Sequence, residues 1–153
     1  MQADYGRAGD FYQKALAINR ETGDSARQVT NLVNLGATAL AQENYEAASL
    51  FYKEGLKISS RMGDVRGGIY CLEGIAGAYW VPRKPDRAAL LLGAAQALRA
   101  ANNLPIEPVD QLTYDQFFTS VRESLADKIF IDLSERGRNV KFEEAVVMAL
   151  SEP

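Results

Sequence analysis

Residues 5–24, YGRAGDFYQKALAINRETGD, and residues 45–64, YEAASLFYKEGLKISSRMGD, are one pattern written twice at a spacing of forty. Tyr5, Ala8, Phe11, Tyr12, Leu16, Ile18, Gly23 and Asp24 fall on Tyr45, Ala48, Phe51, Tyr52, Leu56, Ile58, Gly63 and Asp64. Their apolar members have the spacing of a helix that buries one face. Each copy closes on Gly-Asp, where Gly can take the left-handed conformation that ends a helix and Asp can cap the next one. A third, more divergent copy sets Ala88, Leu91, Leu92 and Leu98 under Ala48, Phe51, Tyr52 and Ile58, and between copies Leu32 and Leu35 fall on Leu72 and Ile75. A fixed period of this size marks stacked supersecondary units that bury their apolar faces on one another.

The predicted fold is all-α: antiparallel helical hairpins stacked as a short right-handed superhelix, with a C-terminal helical cap. Residues 1–153 read as a single helical-repeat domain. Residues 1–24 form a partial first repeat, 25–64 the second, 65–104 the third and 105–153 the cap. In the second repeat a helix is expected from Ala26 to Ala41, a polar turn at Gln42-Glu43-Asn44, and a second helix carrying Ala47, Ala48, Phe51, Leu56 and Ile58. Gly36 and Gly55 each cost roughly 1 kcal/mol relative to Ala in a helix, a cost that close helix approach would offset. In the third repeat Gly68, Gly74 and Gly77 are expected to loosen the first helix, and Pro82 with Pro85 to break the chain. Pro85-Asp86 suits a helix start, and the helix from Arg87 to Ala101 offers nearly all-round burial.

The first copy lacks its leading helix, so the pattern reads as part of a longer array. The helix bearing Tyr5, Phe11, Tyr12 and Ile18 is therefore a candidate self-association face, or one left open by excision. After Pro108 the repeat stops. Thr113 is a candidate N-cap for a helix or helix pair through Leu112, Phe117, Val121, Leu125 and Ile129, continuing from Ala126 to Ser134. Glu135-Arg136-Gly137-Arg138-Asn139 reads as a charged turn, and Lys141 to Leu150 as a final helix. This section either caps the third hairpin or binds a partner.

Composition narrows the function. Forty-seven per cent of the 153 residues are apolar, which argues against disorder. Seventeen basic against twenty acidic residues give a net charge of −3, without the basic footprint that nucleic acid requires. No apolar run is long enough to span a bilayer, and the N-terminus lacks a secretory pattern, so a cytoplasmic location is expected. The chain has no His, which removes histidine-based nucleophilic arrangements and metal sites; no metal or cofactor is expected. Cys71, the single cysteine, reads as a small core residue rather than a reactive thiol. Asp115, Glu143 and Glu144 could supply carboxylates, yet Glu143 and Glu144 point in different directions on a helix and read as solvated charges.

Leu35-Gly36, the placement of Ala48 and the aromatic Tyr52 resemble tetratricopeptide repeats, at a period longer than the standard one of about 34. Leu72-Glu73-Gly74-Ile75-Ala76-Gly77, with Pro85 to Arg99, resembles the C-terminal helical region of bacterial multidomain regulators, including ATPase-coupled transcriptional regulators and cyclase-linked proteins. Asp115 to Leu125 and Phe142-Glu143-Glu144-Ala145-Val146 resemble the cap that follows there. The resemblance implies a noncatalytic protein-interaction or signal-sensing module next to a nucleotide-switch domain and an output domain. It carries over no catalytic site: no phosphate-binding loop is present and no DNA-reading domain either. Protein or peptide partners are expected, with a small-molecule effector admitted. The alternatives are a structural scaffold or homodimer contact and, more remotely, a carboxylate enzyme. By repeat position the concave face should carry Thr30, Val33, Asn34 and Ala37, then Tyr70, Glu73, Gly74 and Gly77. There Asn34 could bond a peptide backbone, Tyr70 give an amphipathic contact and Glu73 select a basic group.

Overall fold

The computed structural model describes residues 4–80 and 84–151. They form eight helices and no strand: α1 (Tyr5–Thr22), α2 (Ser25–Ala41), α3 (Tyr45–Met62), α4 (Val65–Trp80), α5 (Pro85–Ala101), α6 (Pro108–Glu123), α7 (Asp127–Arg138) and α8 (Phe142–Leu150). None is long and apolar enough to cross a membrane among the described residues. Helices α1 to α5 pack consecutively, each on the next, and α2 also touches α4.

One local device starts four of them. The amide of Arg7 donates to Asp4, that of Arg27 to Asp24, that of Ala47 to Asn44 and that of Gly67 to Asp64, at 2.9 to 3.2 Å. Such a cap contributes about 1 kcal/mol. Before two of these caps the chain turns through Gly23 and Gly63, at φ of 71° and 69°, so both Gly-Asp pairs end one helix and start the next. Pro85 likewise opens α5, with Asp86 in its first turn.

The repeat packs through its aromatic residue. Tyr52 of α3 is buried, with one edge of its ring on Gly36 of α2 and the other on Gly74 of α4. A Cβ at Gly36 would lie 2.6 Å from the ring, and one at Gly74 would collide with it too. The two glycines thus make room for one ring between two helices. Leu16, Leu32 and Leu35 form a smaller cluster with Tyr12, Phe51 and Ile58 around α1, while the main core runs from α2 to α8.

Three expectations are corrected. Gly68, Gly74 and Gly77 do not loosen α4, which is continuous; Gly68 and Gly74 receive the rings of Phe142 and Tyr52, so each missing side chain is replaced by packing. Thr113 caps nothing. Glu107 occupies the N-cap of α6, Pro108 opens it, and Thr113 lies inside. The stretch from Glu135 to Arg138 is not a turn but the last part of α7, because Gly137 is pressed onto the backbone of Leu90 and Ala94 while Gly93 of α5 is pressed onto Ser134. Two helices that meet at reciprocal glycines approach backbone to backbone, and that contact holds α7 helical across its charged end. Pro82 lies outside the described residues.

Helix α7, not α6, is therefore the helix stacked on α5. Helix α8 lies on α3, α4 and α5. Its Phe142 meets Gly68, nine residues before Gly77 and so about half a turn away around α4. The side of α4 that bears Gly77 is left for another purpose.

Gly74→Ala should cost about 1–3 kcal/mol, the usual range for overpacking, as read from denaturant unfolding. Combined with Tyr52→Ala the loss should be well below the sum of the single changes, because the added methyl then enters the space the ring vacates. Additive losses would refute the clamp.

Candidate functional site

On that side of α4 the inner helices and α6 enclose a cavity of about 590 Å³, within the range of natural ligand sites. Helix α2 supplies Val33, Asn34, Ala37 and Leu40, and α4 supplies Tyr70, Glu73, Gly74 and Gly77. Both sets recur every three or four residues, and so each shares one face of its helix. Tyr45 and Tyr52 of α3 line it from beneath. The facing wall comes from beyond the repeats: Ile106 and Glu107, then Asp110, Thr113, Tyr114 and Phe117 of α6. Arg99 of α5 also borders the cavity.

Of the surface residues named from the sequence, Thr30 alone is outside this lining. It is exposed, and its hydroxyl donates back to the carbonyl of Ala26 at 3.3 Å. The Asn34 carbonyl accepts from the Thr38 hydroxyl at 2.8 Å, and the Asn34 side-chain amide makes no hydrogen bond among the described residues. The cavity extends toward α1, since a second hollow of about 390 Å³ shares Asn34 and Ala37 and adds Tyr5, Ala8 and Tyr12. The four self-association candidates are thereby divided. Tyr5 and Tyr12 belong to the inner face, while Phe11 and Ile18 stand 67% and 58% exposed.

Glu73 is not free to select a basic group. Its carboxylate accepts from Arg99 Nε at 2.6 Å and from a terminal guanidinium nitrogen of Arg99 at 2.8 Å. The other terminal nitrogen donates to the carbonyls of Leu104 and Pro105 at 3.2 and 3.1 Å. The two side chains are only 14% and 10% exposed, so each charge depends on the other for its loss of water. Arg99 also lies over the ring of Tyr70, 5.1 Å from its centre. Its pKa is raised, first by the bond to Glu73, against the opposing effect of burial. One arginine thus ties α4, α5 and the connection to α6 together, and that connection fixes where α6 stands.

Burial and the nearby Glu73 push the Tyr114 phenol up to about 12. Burial, then Cys71 and Glu73, raises that of Tyr52. Both rings enter the site neutral at physiological pH. Cys71 is buried, its thiol pushed up to about 12 by burial and by Asp64, which leaves little thiolate to act as a nucleophile. The carboxylates considered for chemistry do not converge: Asp115 accepts from Gln111 on α6, and Glu144 accepts the amide of Lys141 at the start of α8. No group of three His, Cys, Asp or Glu among the described residues could hold a metal ion.

The α6 wall and Arg99 are what reading the repeat missed. One signal pointed to Arg99: it is the only charged residue between Ala88 and Ala101 in a helix otherwise built for burial, and a buried charge needs a partner. Nothing in the repeat pattern points to Glu107, Asp110, Tyr114 or Phe117, because they follow its end.

Residues 1–61 match the tetratricopeptide repeat family, a stretch covering α1, α2 and nearly all of α3. No curated protein and no solved structure matches the chain. The all-helical, consecutively packed hairpins are a tetratricopeptide-like repeat region, and such repeats generally mediate protein–protein interaction.

Arg99→Ala should destabilise the fold by about 3 kcal/mol, as expected for breaking a buried pair, and expose the segment from Asn102 to Glu107 to limited proteolysis. The Glu73→Leu/Arg99→Met double variant should regain much of the stability and stay protease-sensitive, since the carbonyls of Leu104 and Pro105 remain unbound. A double variant as protected as the parent would show that Arg99 does not hold the connection.

Proposed function

We propose that this chain is a noncatalytic recognition module that binds a protein or peptide segment in the cavity between α2, α4 and α6, as part of a larger regulator. The observation that carries this reading is the cavity itself: a groove lined by four tyrosines and Phe117, in which Glu73 and Arg99 are spent on each other, the composition of a binding surface rather than of a reaction centre. The Asn34 amide stands at its side with hydrogen-bonding capacity to spare for a peptide backbone. Tyr70, Tyr114 and Phe117 offer broad contact area at small conformational cost. The lack of His and the inert Cys71 support a noncatalytic role. Occupation would be felt beyond the groove, because α4 and α5 are joined through Glu73 and Arg99 and α5 is seated on α7. The regulatory context, in a bacterial cytoplasm, rests on the resemblance of Leu72 to Arg99 to regulator arrays. A small-molecule effector would use the same cavity.

A second reading, self-association, rests on α1. Phe51 and Ile58 pack in the cluster around Leu16, whereas their equivalents one repeat earlier, Phe11 and Ile18, stand open. A homodimer would cover them.

Both readings are separable on the intact chain. Peptides selected from a random displayed library should shift the amide resonances of Asn34, Tyr70, Gly77 and Tyr114, and the exposed Ala37→Trp change should weaken them by roughly tenfold or more. Shifts confined to Phe11, Ile18 and their neighbours would remove the groove. If the chain self-associates through α1, Phe11→Glu should abolish a concentration-dependent rise in sedimenting mass; a rise that persists in this variant would assign the contact elsewhere.

A further inference from the structure

We infer that the groove selects a cationic segment, a peptide that places a Lys or Arg side chain against Glu107 and Asp110 with apolar neighbours on the aromatic walls. The inference rests on the groove being the binding surface and adds the chemistry of what enters it. Four charged residues line the cavity. Glu73 and Arg99 cancel, and the remaining terminal nitrogen of Arg99 is engaged by two backbone carbonyls. Among the described residues that line the cavity, no unspent cation therefore faces the ligand. Glu107 and Asp110 are exposed and form no ion pair among the described residues.

Their place at the start of α6 supplies a structural reason for two acids, since a helix N-terminus carries about half a positive charge. That partial charge offsets only part of two carboxylates, and it does not require them to face the cavity. They stand at the mouth of a groove lined also by Tyr114 and Phe117, whose ring faces are themselves attractive to cations, whereas the Tyr70 ring is already covered by Arg99. A cationic head held at the rim, with its methylene stem along these rings, satisfies both kinds of surface. An acidic ligand would meet two like charges and no compensating donor of full charge, so specificity runs toward cations.

The test reads composition. A random peptide library is selected on the intact parent and on the Ala37→Trp variant, and peptides captured only by the parent define the groove-bound pool. Lys and Arg should exceed Asp and Glu in that pool by roughly fivefold or more, a small difference in free energy. The Glu107→Lys/Asp110→Lys variant, with helicity checked by circular dichroism, should reverse the preference. A groove-dependent pool with no cation excess, or with an acidic one, would overturn the charge inference while leaving groove binding intact. The absence of any pool dependent on Ala37 would overturn both.

Discussion

The structure depends on one ring seated between two helices. Tyr52 reaches from α3 to touch Gly36 and Gly74 together, so α2 and α4 stand side by side at a distance set by the width of a tyrosine. A larger residue at either glycine would force them apart, and a smaller one at Tyr52 would leave a void. The same contact decides function, because the inner faces of α2 and α4, held in this relation, are two sides of the groove.

A second constraint decides the remaining side. Regular stacking would place the helix that follows α5 directly on it. Here the reciprocal contacts of Gly93 and Gly137 bring α7 onto α5 instead, and α6 is left to face the inner surface. Arg99 then fixes the connection leading to α6 by binding the carbonyls of Leu104 and Pro105 while its charge is neutralised by Glu73. An ion pair of this kind contributes little net stability compared with an apolar replacement. Its consequence is positional: it turns the end of a repeat array into an enclosed site.

The same arrangement separates the polar groups by role. Glu73 is used within the fold, whereas Glu107 and Asp110 remain at the mouth of the cavity. The neutral phenols of Tyr52 and Tyr114 add surface without charge. What the groove offers a ligand is therefore apolar area with a negative rim, the opposite of a clamp for acidic tails.

The forty-residue repeat by itself determined the helices and their order from Tyr5 to Met62 and the Gly-Asp junctions, and it pointed, Thr30 apart, to the α2 and α4 residues that line the cavity. These follow from local periodicity, capping and the conformational freedom of glycine, all of which act within one or two turns. The helix after Pro85 was equally legible from its proline and its apolar run. Tertiary structure alone decided that Gly137 lies in a helix, that Thr113 is no cap, that Glu73 is spent on Arg99 and that α6 walls the groove. Each of these is set by contacts between residues far apart in the chain, where backbone approach and charge pairing outweigh what the neighbouring residues prefer.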